Sequence, residues 1–380
     1  MRKTFNKIDK PLLILTIFCL ITGLLMVGSA SSLKAYMTFS DSYYYFKRQL
    51  LFIVIGLLGG LIVIKTPIKK YNGVIYLAVT IIMVVMGYVL VKGQESNGIK
   101  GWLFIGGFGI QPSEFAKTIT ILFLALTYER IMKIVNPTPM MLFMPFVVPF
   151  IFVSMIYVQK DFGTMLIILG ISAMVFFVVP FSKNNRLFLI ALVMGVLLIM
   201  IPTLLLSGKG LTETQKERLN YKNPCTRYRD QSGYQVCNGY IAINTGGLTG
   251  SGFGNSKQKY LYLPEAHTDF IFAIIIEETG LISGAFLLLV YFLIIWRILL
   301  IGRRSYNLQG SIICYGVAIY ISLHVLINLG GVLGVIPLTG IPLPFYSYGG
   351  SYMINLLVCL SLVQRVSIEN RVFEQKHIVR

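Results

Sequence analysis

The chain has 380 residues, of which 56% are hydrophobic and 13% charged, with a mean hydropathy of +0.75 and a net charge of +18. Soluble globular domains carry about a quarter of their residues as charges, so that class is excluded and the apolar material must face lipid. The 33 Lys and Arg against 15 Asp and Glu would point to nucleic acid in a soluble protein. Here most of the charge lies in short segments between apolar runs, and only 207–268 is long enough to form an ordinary domain outside them. One membrane-embedded domain over 1–380 is the economical organisation.

A hydrocarbon core of roughly 30 Å takes about 20 apolar residues in a helix. Ten such windows occur, near 11–30, 49–66, 71–92, 111–130, 139–158, 163–181, 187–206, 269–300, 311–336 and 345–364. The fold class expected is therefore all-α and polytopic, with about ten transmembrane helices and a large external loop, about 207–268, after the seventh. The eighth window is too long for one upright span and is expected to tilt, to break near Gly280 and Gly284, or to protrude. Short connections on the face of both termini hold eighteen Lys and Arg, against six on the other face: Lys34, Lys47, Arg48, Lys92, Lys100 and Lys160. Basic loops resist translocation, so both termini are expected in the cytoplasm. The basic, apolar N-terminus ending at Ser29-Ala30-Ser31 imitates a cleavable signal, but its apolar stretch is too long and nine spans follow, so it reads as an uncleaved first helix. No internal repeat of the kind many secondary transporters carry is visible. Cys19, Cys314 and Cys359 fall within spans as small apolar residues. Cys225 and Cys237 lie in the long external loop, where a disulfide and two free thiols are both open. No Cys or His spacing resembles a zinc site.

Ionisable groups inside spans are energetically expensive and so are functional candidates. Glu114 and Lys117 stand three apart in the fourth span, on one helical face. They form either an ion pair that fixes packing or part of a polar cavity, open to the outside, for a charged head group. Asp161 opens the sixth span, and Glu277 and Glu278 follow Asp269 by about two turns. The segment Leu263 to Phe270 places Glu265, His267 and Asp269 at the outer boundary. That is a site for a general base, whose pKa partial burial would raise, or equally an interfacial cap in which Thr268 or Asp269 begins the next helix. His267 could serve as acid-base partner, phosphate contact or packing residue. The run Gly246 to Gly254 would let backbone N–H groups approach an anion, with Lys257 and Lys259 suited to a pyrophosphate, or it is a flexible loop. Lys100-Gly101-Trp102 sets a cation beside a ring that could hold a sugar or lipid face or anchor at the interface. The last loop, Pro337 to Ser351, is so rich in breakers that its backbone must face protein or water.

Several segments together resemble the SEDS family (shape, elongation, division and sporulation), which includes FtsW, RodA and SpoVE. They are Gln111-Pro112-Ser113-Glu114-Phe115-Ala116-Lys117, Asp161-Phe162-Gly163-Thr164, Pro264 to Phe270 followed by Glu277-Glu278-Thr279-Gly280, and Pro342-Leu343-Pro344 with Ser347-Tyr348-Gly349-Gly350-Ser351. The segment Asn255 to Lys259 ahead of Tyr262-Leu263-Pro264 looks more like FtsW than RodA. Two departures stand out: Gly101 where the family commonly has Arg, and Lys160 where it has Pro.

The resemblance implies a peptidoglycan glycosyltransferase that polymerises lipid II outside the membrane and works with a class B penicillin-binding protein, a transpeptidase. It places Asp269 on the essential external aspartate and Glu114, Lys117, Asp161 and Trp102 on conserved positions. Candidate substrate contacts are thus Glu114, Lys117, Asp161, Trp102, His267, Lys257, Lys259 and Ser347, with Asp269 as base. Lys117, Lys257, Lys259 or a divalent cation, Mg or Mn, would stabilise the leaving diphosphate. A lipid II flippase is the alternative, and a division scaffold without activity is a third class.

Overall fold

The computed structural model describes residues 7–96, 98–206, 222–227, 231–260 and 262–378, so residues 207–221 of the expected external loop lie outside the described ones. The helices are α1 Lys10–Phe39, α2 Tyr44–Lys65, α3 Ile68–Lys92, α4 Pro112–Ile131, α5 Pro139–Phe143, α6 Val147–Val158, α7 Phe162–Val178, α8 Lys183–Leu206, α9 Gln231–Gly246, α10 Ile271–Arg303, α11 Leu308–Val332 and α12 Gly350–Ile378. Each of the ten apolar windows coincides with a helix. α5 and α6 share one window across a 3-10 turn at Met144–Phe146, which contains Pro145 and precedes Pro149. Among the described residues, seven helical segments are long and apolar enough to cross a membrane: α1, α2, α3, α5 with α6, α10, α11 and α12. The protein is a multi-pass membrane protein.

The helices bury one stripe each and leave large apolar side chains outward, such as Ile14 and Ile21 on α1, Leu58 and Ile62 on α2, and Val84 and Val91 on α3. In water such a surface would be untenable; against acyl chains it is the ordinary solvent contact of a membrane helix. Inside, α11 is the central helix: it packs on α4, α7, α10 and α12. Most of its residues are buried, from Gln309 to Val332.

One feature differs from the all-α expectation, and of the two alternatives for Cys225 and Cys237 the disulfide is formed. Residues 94–110 form a small antiparallel sheet of β1 Gln94–Ser96, β2 Ile99–Ile105 and β3 Phe108–Ile110, in the order β1-β2-β3. Leu103 pairs with Ile110 and Ile105 with Phe108. The two residues between, Gly106 and Gly107, take φ of +57° and +80°, the left-handed values that a two-residue type I′ turn demands. Cys225 and Cys237 are joined by a disulfide, with Cα atoms 5.0 Å apart, which ties the 3-10 turn Pro224–Arg227 to α9.

The eighth window breaks where expected. Gly280 interrupts α10 with φ +84° and ψ 168°, and the glycine-rich segment is inserted into the break. Ser251 and Gly252 donate their N–H groups to the carbonyls of Glu277 and Glu278 at 2.9 and 3.0 Å, while Leu281 and Ile282 donate to the carbonyls of Gly247 and Leu248 at 2.9 and 3.3 Å. The backbone groups that a helix break would leave bare in the membrane are thereby paired. The run Gly246 to Gly254 is thus a clasp held by backbone hydrogen bonds with most of its residues exposed, and the N–H groups of Ser251 and Gly252 are engaged there and not presented to an anion. A Cβ on Gly280 would collide with the Leu248 carbonyl, and the left-handed backbone is strained for any other residue. Gly280→Ala should destabilise the protein by about 1–3 kcal/mol, seen as a lower melting temperature in detergent; an unchanged transition would show that the clasp is dispensable.

Candidate active site

The Glu114–Lys117 pair stands at the start of α4, which Pro112 opens at its first position, where a missing N–H is harmless. Their spacing sets both on one face, and Lys117 Nζ lies 2.7 Å from Glu114 Oε1 with both side chains almost fully buried. The ammonium has a second acceptor that the sequence analysis did not consider, His324 Nε2 on α11, at 3.3 Å. An ionisable residue inside an apolar span is itself the signal that could have drawn attention to His324. Glu114 Oε2 is buried and has no protein partner.

Above this pair opens a cavity of about 150 Å³ lined by polar groups of several elements. Of the residues singled out from sequence, it brings together Trp102 on β2, Glu114 and Lys117 on α4, Asp161 at the start of α7, and Glu265 and Asp269 ahead of α10. The last loop closes one wall with residues 339–342 and 348–352. Asp161 caps α7, accepting from Thr164 N at 3.0 Å and from Gln111 Nε2 at 2.9 Å. Asp269 is held through its backbone: Asn328 Nδ2 on α11 donates to the Asp269 carbonyl at 2.9 Å and to the Ile341 carbonyl at 2.8 Å. Its carboxylate oxygen Oδ2 would lie 3.3 Å from a Cβ on Gly340, whose φ is +75°, so the loop passes close to the carboxylate only because no side chain stands there. The capping alternative for Thr268 and Asp269 is not realised. Phe270 occupies the position before α10 with no side-chain cap, and the Thr268 hydroxyl instead donates to Glu265 Oε2 at 2.6 Å.

Four expected substrate contacts sit elsewhere. Lys259 is buried, and its ammonium donates to Glu278 Oε1 at 2.8 Å, Ser29 Oγ at 3.0 Å and the Gly254 carbonyl at 2.6 Å. The Lys257 N–H donates to Glu277 Oε1 at 2.9 Å. Lys259 belongs to the α10 clasp through its side chain and Lys257 through its backbone alone, with its side chain exposed; neither lines the cavity. Ser347 is fully buried, donating to the Thr268 carbonyl at 2.6 Å and accepting from Leu343 N at 2.7 Å, so it pins the last loop to the segment that carries Asp269. His267 is 3% exposed, with its ring 4.6 Å from that of Tyr45 and 5.8 Å from that of Tyr348.

Burial, followed by the nearby Lys34 ammonium, holds the His267 imidazole from its ordinary 6.5 down to about 4, against the opposing pull of Glu265. It therefore binds a proton only well below neutral pH, and its ring packs against Tyr45 and Tyr348 apart from the residues that line the cavity. Burial alone would push the Glu265 carboxyl up, but the Lys34 charge, the Thr268 hydrogen bond and His267 together bring it below its ordinary value; Lys34 Nζ lies 3.3 Å away.

The two departures from the family pattern have local causes. Gly101 is buried, and a Cβ there would meet the Ile99 side chain at 3.3 Å and Gln159 Oε1 at 3.4 Å, so a larger residue would require these side chains to shift. Lys160 has φ +64°, a conformation closed to proline. Among the described residues no three His, Cys, Asp or Glu side chains converge; a divalent cation held by one or two carboxylates together with substrate phosphates would need no such cluster.

The fold and cavity define a multi-pass membrane protein with a polar, half-enclosed site built over a buried ion pair. The family model FTSW_RODA_SPOVE, described as cell cycle protein, matches residues 10–372. The probable peptidoglycan glycosyltransferase FtsW of Coxiella burnetii is 35% identical over 368 residues, covering 95% of this chain and 96% of that protein. Stage V sporulation protein E of Bacillus subtilis is 35% identical over 379 residues, with coverage of 96% and 98%. Among solved structures, a chain from a peptidoglycan synthase complex that coordinates polymerization and crosslinking superposes with a TM-score of 0.74 at 26% identity, covering 96% and 98% of the two chains. The rod shape determining protein RodA of Thermus thermophilus gives 0.67 at 25% identity, with 95% and 96% covered. The chain belongs to the FtsW/RodA/SpoVE family.

Because folded His267 binds its proton only near pH 4 while an unfolded histidine binds it near 6.5, stability rises with pH across that interval and is lost as pH falls through it. Glu265, with its lowered value, adds stability above its ordinary 4.5 that is lost at still lower pH. Acidification from pH 6.5 to 4 should therefore lower the melting temperature, with roughly 3 kcal/mol attributable to His267. His267→Phe, which keeps a ring against Tyr45 and Tyr348, should flatten that slope; an equally steep slope in the variant would refute the assignment.

Proposed function

We propose that this chain is a peptidoglycan glycosyltransferase that polymerises lipid II into glycan strands at the outer face of the bacterial plasma membrane. The observation that carries this is the placement of Asp269 on the wall of the polar cavity above the Glu114–Lys117 pair, in a chain of a family whose members bear that activity in their names. In this reading α4, α7 and α8 complete ten spans, both termini are cytoplasmic, and the loop around 207–268 is external. α4 and α8, of 20 and 24 residues, would reach about 30 and 36 Å at about 1.5 Å per residue. α4 falls short on apolarity only because it carries the charges the site uses.

The chemistry follows from the groups present. The acceptor is a lipid II whose GlcNAc 4-hydroxyl gives its proton to the Asp269 carboxylate as its oxygen attacks the anomeric carbon of the donor glycan. The bond from that carbon to the diphosphate breaks, a β-1,4 bond forms with inversion, and undecaprenyl diphosphate leaves. A diphosphate leaves readily and asks for charge stabilisation rather than a proton. Lys117 is the cation on the cavity wall for that purpose. Lys259 is withdrawn from the role because its ammonium is fully engaged in the clasp, and Lys257 does not line the cavity. Asp161 and Trp102 frame the sugar side of the cavity. The partner is a class B penicillin-binding protein, in keeping with the synthase complex that this fold resembles. A flippase would need alternating access and no base.

Purified protein in detergent, where no sidedness exists, should polymerise lipid II when its transpeptidase partner is supplied. Asp269→Asn should lower the rate by about 10²–10⁴ while melting and partner binding stay as in the parent. Near-normal polymer from that variant would sink the assignment of the base and revive the flippase.

A further inference from the structure

We propose that His324 is a positioning residue that holds the Lys117 ammonium against the reaction cavity; the proposal rests on the glycosyltransferase reading above. His324 lies on α11 and is fully buried. Its Nδ1 stands 3.1 Å from the Pro342 carbonyl. A carbonyl oxygen only accepts, so Nδ1 carries the hydrogen and donates. The neutral ring then presents a lone pair at Nε2, and Lys117 Nζ, 3.3 Å away, donates to it. The opposite arrangement, with hydrogens on both ring nitrogens, would set an N–H and a positive charge against an ammonium in a buried space and is disfavoured on both counts.

Lys117 is thereby fixed from three sides. Glu114 Oε1 accepts one N–H at 2.7 Å, His324 accepts a second, and the Tyr320 ring lies 5.7 Å from the ammonium. The third N–H of a side chain that lines the cavity is left for a ligand, and an anionic diphosphate is the ligand chemistry it suits. A lysine on a flexible four-carbon stem has no such direction by itself. The histidine supplies it and also reports the position of the last loop, because its other nitrogen is bonded to Pro342 in the wall that faces Asp269. The ring is stacked at 4.6 Å on Tyr352 and set edge-on to Tyr320 at 4.7 Å, which leaves it little freedom to turn. Glu114, Lys117 and neutral His324 together carry no net charge, so the site keeps a cation in the membrane without an uncompensated one.

The competing role for His324 is packing between the two tyrosines, and two substitutions separate the roles. His324→Gln keeps an acceptor and loses the ring; His324→Phe keeps the ring and loses the acceptor. With the full-length protein and its partner in the lipid II polymerisation assay, the Gln variant should keep kcat within about threefold. The Phe variant should lose tenfold or more in kcat, with a smaller change in KM for lipid II and a melting temperature at least equal to that of the Gln variant. If Phe does not give folded protein, His324→Met fills the space with a flexible apolar chain and should show the same loss. A Phe or Met variant as active as the Gln variant, or a Gln variant as impaired as Phe, overturns the positioning role. Those results leave the glycosyltransferase reading intact so long as the parent protein polymerises lipid II and Asp269→Asn does not. Failure of the parent itself would remove the reading first.

Discussion

The structure depends on one constraint: at membrane depth, every backbone polar group must find a partner within the protein. Gly280 breaks α10, and a break leaves N–H and C=O groups that lipid cannot satisfy. The segment 247–252 meets them with four backbone hydrogen bonds, and the adjoining carboxylates complete the seal. Glu277 accepts from Ser256 and from the Lys257 N–H, while Glu278 accepts from Ser29 and Lys259. Asp269 lies just before the upper half of this helix, so the clasp that repairs the break also anchors the segment presenting the proposed base.

Among the described residues, buried charge is either ion-paired or, as at Asp161 and Glu277, held by neutral hydrogen-bond donors. Lys259 with Glu278 and Lys117 with Glu114 are each almost fully buried pairs, and burying either partner alone would be costly. Yet the two differ in use. All three donors of Lys259 have protein acceptors, which makes it a structural tie. Lys117 borders a cavity, and its partner Glu114 retains an oxygen without a protein donor. Around this pair the loop 337–349 is held by bonds from distant elements: Asn328 to Ile341, Ser347 to Thr268, and Tyr348 N to the His267 carbonyl. These bonds bring α4, α11 and the approach to α10 to one small volume.

Much of this was legible from composition and spacing. Apolar windows marked the helices, although α1 continues to Phe39 and α12 to Ile378, well beyond their windows; the excessive length of the eighth left a break near Gly280 and Gly284 as one of three courses, and the three-residue spacing of Glu114 and Lys117 put them on one face. The hairpin at 99–110 was missed although Gly106-Gly107 between Ile105 and Phe108 is a recognisable turn signal. The lysines after the glycine run looked available for phosphate because their acceptors, Glu278 and the backbone-binding Glu277, are about twenty residues away in sequence. His267 looked equally apt for acid-base work; only the burial by Tyr45 and Tyr348, from α2 and the last loop, shows it as neutral packing.

The sequence by itself determined that this is a helical membrane protein, where its apolar helices fall, and which few ionisable residues are placed within or beside them, because hydropathy and helical periodicity are local properties of the chain. It also carried the motifs by which the family is recognised. Which of those residues share a cavity was decided by tertiary structure alone: Asp269, Asp161, Glu114 and Lys117 meet there, while Lys259, His267 and Ser347 are bound into the scaffold and Lys257 joins it through its backbone with its side chain exposed. The physical reason is that a side chain's role depends on whether its hydrogen-bonding and charge partners come from the protein or are left for a ligand, and those partners arrive from helices far apart in the chain.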